Sequence, residues 1–244
     1  MGNIWIITRR EFSSFFATPV AYVFIAIFLM LSGIFTFFIG NLYERGQADL
    51  IPFFNFHPWL YLFLVPAIAM RSWAEERKSG SIELLMTLPI SAAEAVVGKF
   101  IAAWLVLGLA LALTFPLWLS VDYLGEPDHG IIIAAYIGSW LMAGAFLAIS
   151  TCMSAFTRNQ VVAFILAVVV CFLFVVSGSG IVLDAFQSWA GNLVLDTVAS
   201  FSFLTHFEAM AKGVLALNDV GYFVIIMLVW LYASLIVIEQ KKAD

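Results

Sequence analysis

Long apolar segments, separated by short charged loops, dominate the chain. A helix needs about 20 apolar residues to cross the hydrocarbon core of a membrane. Six segments without Asp, Glu, Lys or Arg reach about this length. We therefore predict a single all-α transmembrane domain over residues 1–244 with six spans, at Phe12–Tyr43, Leu50–Met70, Phe100–Val121, His129–Thr157, Asn159–Leu183 and Val220–Ile238.

Two shorter uncharged segments, Ala185–Leu195 and Thr197–Phe207, lie between Asp184 and Asp219. Each would rise only about 16 Å as a helix, which is too short to span a membrane. Both are too apolar to remain in water, so we predict a re-entrant helix pair at 184–219, on the outer side. Its buried aromatic residues would form an outer gate, with a passive lid as the alternative: Phe186, Trp189, Phe201, Phe203 and Phe207.

The first 16 residues form an amphipathic pattern. At 100° per residue, apolar side chains that include Ile4, Trp5 and Phe12 lie on one arc, and polar side chains that include Arg9 and Arg10 lie on another. The apolar stretch that follows is too long for a secretory signal, and no cleavage site follows it. We predict an interfacial helix over 1–16 that precedes the first span.

The composition excludes several classes of protein. Hydrophobic residues make up 64% of the chain and charged residues only 11%, whereas soluble domains carry roughly 25% charge. The net charge of -5 leaves no basic surface for nucleic acid. Lys and Arg are enriched in cytoplasmic loops of membrane proteins, and nine bases against two place both termini and the loop from Arg71 to Lys99 in the cytoplasm.

The cytoplasmic loop at 71–99 carries the most informative pattern. Apolar residues recur at Ile82, Leu85 and Met86, which predicts a short amphipathic helix after Gly80. Pro89 would end it. Ser91 and Glu94 have the spacing of a capping box, which would start a second helix that continues into the third span.

The sequence of this loop resembles that of ABC-2-type transporter permeases. The residues at 75–85 read Glu-Glu-Arg-Lys-Ser-Gly-Ser-Ile-Glu-Leu-Leu, followed by Pro-Ile-Ser at 89–91. The chain looks closest to the small permease of gliding-motility-type ABC transporters. In that family the loop is a coupling helix that docks on a separate ATPase. The resemblance and the apolar stripe assign ATPase coupling to Glu76, Gly80, Ser81, Ile82, Glu83, Leu84, Leu85, Met86 and Pro89.

The resemblance also implies partners and a location. It implies an ABC ATPase that holds ATP and Mg²⁺, with no cofactor on this chain. It further implies a second permease, identical or a larger homologue, surrounding lipid, and an extracytoplasmic accessory protein as an additional candidate partner. The location would be the bacterial inner membrane, and export is favoured. The cargo, and the choice between homodimer and heterodimer, stay open.

Other chemistries lack the residues that they need. The single Gly-Lys pair, Gly98-Lys99, is not part of a phosphate-binding loop, so ATP hydrolysis is not expected here. Neither the two cysteines nor the three histidines have the spacing of a metal site, and all three histidines are expected near the outer surface. Two alternatives stay open, an intramembrane serine protease using Ser179 and a structural membrane anchor.

Overall fold

The computed structural model describes residues 2–81, 90–180, 182, 184 and 197–240. The described residues contain helices and connecting turns and no strand. The helices are α1 (Gly2–Ala17), α2 (Val20–Ile34) with a π-helical continuation (Phe35–Ile39), α3 (Ile51–Asn55), α4 (His57–Ala69), α5 (Arg71–Ser79), α6 (Ala92–Ala112), α7 (Phe115–Leu124), α8 (His129–Phe156), α9 (Gln160–Val176), α10 (Phe203–Ala211) and α11 (Leu217–Gln240).

Four helical stretches of the described residues are long and apolar enough to cross a membrane. They correspond to the first, third, fourth and sixth predicted spans and cover Val20–Ile39, Ala92–Leu124, His129–Phe156 and Leu217–Gln240. The fifth predicted span contains α9, whose 17 residues rise about 26 Å. The second contains α3 and the 13-residue α4. For these two segments membrane crossing stays a prediction.

Helix α8 is the centre of the bundle. It packs against α4, α6, α9, α10 and α11, and its residues from Met142 to Ala155 are continuously buried. Two glycines allow α6 and α8 to approach closely. A Cβ atom at Gly144 of α8 would lie 2.9 Å from the indole nitrogen of Trp104, and a Cβ atom at Gly108 of α6 would lie 2.9 Å from the indole nitrogen of Trp140. The two indole rings stack at 4.2 Å between α6 and α8.

Helix α10 packs into one end of this bundle. Its side chains Phe203, Phe207 and Met210 are buried. A Cβ at Gly138 of α8 would lie 2.7 Å from the Met210 side chain, so the missing side chain makes room for the helix. Ser202, which precedes α10, lies close to Gly178. A Cβ atom at Gly178 would be 2.5 Å from the Cβ atom of Ser202.

Candidate coupling site

Helix α5 precedes the predicted coupling segment and is fixed at its start to the central helix. The Ser154 hydroxyl of α8 accepts hydrogen bonds from the backbone N–H groups of Trp73 and Ala74, both at 3.1 Å. The same hydroxyl donates to the carbonyl oxygen of Met70 at 2.9 Å. One buried side chain therefore caps α5 and holds the bend between α4 and α5, because the first N–H groups of a helix have no partner within it.

Two further contacts hold the body of α5. The Arg77 guanidinium donates to the carbonyl oxygen of Ala155 at 2.6 Å, where α8 ends. The Trp73 ring is completely buried in a small apolar cluster. This cluster joins the start of α6 with the ends of α8 and α11 and contains Trp73, Ala95, Val96, Ala155, Val237 and Ile238.

The chain after α5 turns sharply and then enters α6. Gly80 has a φ of +72°, a left-handed conformation that glycine adopts without strain and that commonly ends helices. The predicted capping box is confirmed: the Ser91 hydroxyl accepts from the Glu94 N–H at 3.2 Å, and the Glu94 carboxylate accepts from the Ser91 N–H at 2.8 Å. This hydrogen bond from the Ser91 backbone lowers the pKa of Glu94.

Lys99 is the centre of a buried ionic cluster that joins three helices. Its ammonium lies 2.7 Å from Oε1 of Glu76 on α5 and 3.3 Å from Oε2 of Glu11 on α1. Only 6% of the lysine side chain is exposed. The ammonium also lies 5.2 Å from the centre of the Trp73 ring, within range of a cation–π interaction.

Helix α1 contacts α6 closely enough to complete this cluster. A Cβ at Gly98 would lie 2.7 Å from the Ile7 side chain, and the Thr8 hydroxyl donates to the Gly98 carbonyl oxygen at 3.2 Å. Burial alone would raise the pKa of Glu11, but Lys99 and Arg10 outweigh burial and hold this pKa below its ordinary value of 4.5. Glu11 is therefore ionised at neutral pH and is a second carboxylate partner of Lys99, beside Glu76.

The predicted coupling residues divide into two groups. Glu76 belongs to the ionic cluster, Gly80 ends α5, and the Ser81 hydroxyl lies 2.9 Å from that of Ser79. The remaining six, Ile82, Glu83, Leu84, Leu85, Met86 and Pro89, lie outside the described residues. The roles of Glu11, Lys99 and Ser154 were not predicted, because they depend on contacts between segments that are distant in the chain.

Of the predicted outer-gate residues, Phe203 packs against Phe146 of α8, with the ring centroids 4.9 Å apart. Phe203 and Phe207 are buried, whereas half of the Phe201 side chain is exposed. Phe186 and Trp189 lie outside the described residues. His206 joins α10 to α11: its Nδ1 lies 2.6 Å from Oδ1 of Asp219, and its Nε2 donates to the Ser200 carbonyl oxygen at 3.0 Å.

His57, which was expected near the outer surface, lies at the start of α4 and points into the bundle. The His57 side chain is completely buried, because Phe28, Phe53 and Phe54 pack around its ring. Its Nδ1 lies 2.8 Å from the Ser139 hydroxyl, which in turn lies 2.7 Å from that of Tyr61. No periodicity in the residues around His57 distinguishes a buried histidine from an interfacial one.

The protease alternative finds no support at Ser179. Its hydroxyl is buried and has no hydrogen-bond partner among the described residues, whereas a serine nucleophile needs a base within hydrogen-bond reach. The residues that the structure describes contain no cluster of three or more His, Cys, Asp or Glu side chains that could hold a metal ion.

Comparison with known proteins agrees with the resemblance carried by the loop. A family model described as "ABC-2 family transporter protein" matches residues 34–240, which is most of the chain. No curated protein matches this sequence.

Proposed function

The chain belongs to the ABC-2 family of transporter proteins, and on this basis we propose that it is the transmembrane permease subunit of a bacterial ATP-driven exporter. ATP and Mg²⁺ bind to a separate ATPase chain, and this subunit binds no cofactor. The family is one of membrane transport subunits, which favours this role over that of an enzyme. The segment from Ile82 to Pro89 docks on the ATPase.

The Lys99 cluster supports the coupling role that this proposal gives to the segment at 82–89. The segment at 82–89 is flanked by α5 and α6, which Lys99 and Glu76 join directly. Hydrogen bonds of Ser154 and Arg77 also hold α5 to the central helix α8. A movement of the segment at 82–89 is therefore transmitted to α6 and α8 together. A rigid connection converts ATPase closure into tilting of helices, whereas a flexible loop would absorb the motion.

We expect Leu85→Ala combined with Met86→Ala to release the ATPase from the purified complex. Truncating an apolar anchor at the centre of an interface costs roughly 2 kcal/mol, or about thirtyfold in affinity. The measurement is the amount of ATPase that co-purifies with the permease in detergent, together with ATPase activity in the presence of cargo.

The matched control is Leu215→Ala combined with Leu217→Ala. Both leucines are exposed and lie on the predicted outer side, so this variant should retain the ATPase. If the Leu85/Met86 variant keeps normal amounts of ATPase and normal coupled activity, the segment has no coupling role. Co-purification of an ATPase also separates a permease from a structural anchor.

Helix α1 lies on the inner leaflet in this proposal. One face, including Ile7 and Thr8, is buried against α6. The opposite side is exposed and carries the apolar Trp5 and Ile6, which are 64% and 66% exposed, together with Arg9 and Arg10. A helix with one face against the protein and an exposed side that carries both apolar and basic side chains suits the boundary between headgroups and acyl chains.

Impermeant thiol reagents test the topology on intact cells. With both termini in the cytoplasm, a cysteine at Ser79 should be protected and one at Glu126 should be labelled, and both positions are exposed. The two native cysteines, Cys152 and Cys171, are buried and should give little background. Labelling at Ser79 with protection at Glu126 would show that the topology is the reverse of the predicted one.

The remaining features of the proposal concern assembly. A second permease, identical or a larger homologue as in gliding-motility-type systems, completes a two-fold pathway. The segment at 184–219 re-enters the membrane from the outside and acts as the outer gate. An engineered disulfide that ties this segment across the dimer should block transport and leave ATP binding intact, and transport that survives this bond would leave the segment a passive lid.

A further inference from the structure

Two adjoining cavities lie beside the Lys99 cluster. One, of about 320 Å³, is bounded by α1, α4, α5, α6 and α8. The other, of about 280 Å³, is a groove between α2 and α4. They share Val20, Ile68 and Arg71 as lining residues. From their shape and chemistry we infer that they form a binding site for one phospholipid with a phosphoethanolamine headgroup.

The two cavities differ in polarity in the way that a lipid requires. The larger one is lined by five ionisable side chains and several hydroxyl groups. The groove is lined by apolar residues such as Phe24, Leu64 and Ala67, with Arg71 at its polar end. Val23 and Ile27 on its rim are exposed, so the groove opens on the surface of the bundle. An amphiphile that enters from the bilayer matches both halves, and the larger volume lies in the range of small-molecule sites.

Arg71 is positioned to bind the lipid phosphate. It is the charged residue that lines both cavities. Its Nε donates to Glu75 at 3.1 Å, and its two terminal nitrogens have no hydrogen bond among the described residues. A guanidinium at the border between a polar pocket and an apolar groove presents these donors where the phosphate of a bound lipid would lie.

The carboxylates select the rest of the headgroup. Glu11, Glu75 and Glu76 with Arg71 and Lys99 give the larger cavity a charge of 2 minus 3, or -1. Oε2 of Glu76 is buried and lacks a hydrogen-bond partner among the described residues. A primary ammonium would supply both the positive charge and an N–H donor. A choline headgroup has no N–H, and a phosphatidylglycerol headgroup would be repelled by the net negative charge.

This inference rests on the proposed position of α1 and α5 at the membrane surface, but it can be tested without the ATPase. The purified full-length chain in detergent is titrated with dioleoyl phosphatidylethanolamine, phosphatidylcholine or phosphatidylglycerol, and native mass spectrometry counts the bound lipids. We expect one phosphatidylethanolamine that binds about tenfold more tightly than the other two lipids.

Two variants and a control define the site. Arg71→Gln should weaken phosphatidylethanolamine binding about tenfold, because charge-assisted hydrogen bonds to the phosphate are lost. Ala67→Trp should fill the groove without any change of charge and weaken binding as well. Arg9→Gln removes an equal charge from an exposed position outside the cavities and should leave binding unchanged.

Four results would each overturn the site. Three concern the unchanged chain: equal retention of all three lipids, a preference for phosphatidylglycerol, or absence of bound lipid. The fourth is normal phosphatidylethanolamine binding by Arg71→Gln. Loss of lipid selectivity in a permease that still co-purifies with its ATPase would overturn the lipid site alone. Failure of ATPase docking with intact lipid selectivity would overturn the coupling role alone.

Discussion

Replacing Lys99 with methionine is expected to destabilise the protein by about 3 kcal/mol and to uncouple ATP hydrolysis from transport. The substitution leaves the carboxylates of Glu11 and Glu76 facing each other without the ammonium between them. Removing one partner of a buried ion pair costs about 3–5 kcal/mol. These carboxylates are 19% and 21% exposed, so the lower end of that range applies. Denaturation of the purified chain in detergent measures the loss.

The control for this variant is Lys78→Met, which removes the same charge from an exposed position near the end of α5. It should change the free energy of unfolding by less than about 0.5 kcal/mol. Adding Glu11→Gln and Glu76→Gln to Lys99→Met should restore much of the stability, because no unpaired charge remains. Failure of this rescue, or normal stability of Lys99→Met alone, would contradict the assigned role of the cluster.

The cluster also predicts the direction of a pH effect. The pKa of Glu11 is lower in the folded protein than its ordinary value of 4.5, so the folded state binds fewer protons than the unfolded state in that range. The stabilisation by Glu11 is therefore complete above pH 4.5 and is lost as the pH falls through the lowered pKa. In Lys99→Met this dependence should be reduced or reversed.

The elements that sequence analysis predicted correctly depend on local chemistry. Uncharged runs of about 20 residues identified four stretches that the structure shows as long apolar helices. The Ser91–Glu94 capping box was readable because both hydrogen bonds join residues that are three positions apart. The segment Gly2–Ala17 is helical, as its local amphipathic period predicted, and its interfacial position stays a prediction.

The contacts that build the coupling site could not be predicted from local sequence patterns. Glu76 and Lys99 are 23 positions apart, and Thr8 and Gly98 are 90 apart. Helix α5 was missed because its sequence is mostly polar, and its burial is limited to Trp73 and Ala74. Gly80 ends α5, and the short amphipathic helix predicted after it lies outside the described residues.

Removing the His206 side chain by His206→Ala is expected to loosen the attachment of α10 to the bundle. His206 and Asp219 are 17% and 14% exposed, and the imidazole also stacks on Tyr222 at 3.9 Å. Losing a mostly buried hydrogen bond to a carboxylate costs about 2 kcal/mol, which corresponds to about a thirtyfold rise in local opening. Hydrogen exchange of the backbone amides at Phe203–Ala211 measures this opening.

A second ion pair on the same helix provides the control. Glu208 and Lys212 lie 2.6 Å apart, but both side chains are 66% exposed, and exposed pairs at this spacing contribute little. Glu208→Gln should therefore leave exchange almost unchanged, while His206→Ala and Asp219→Asn should each accelerate it, and the double variant should add little to either. Additive effects of the two substitutions, or equal acceleration by Glu208→Gln, would show that the His206–Asp219 contact does not hold α10. If it does hold α10, transport in His206→Ala reports whether opening of this segment limits the passage of cargo.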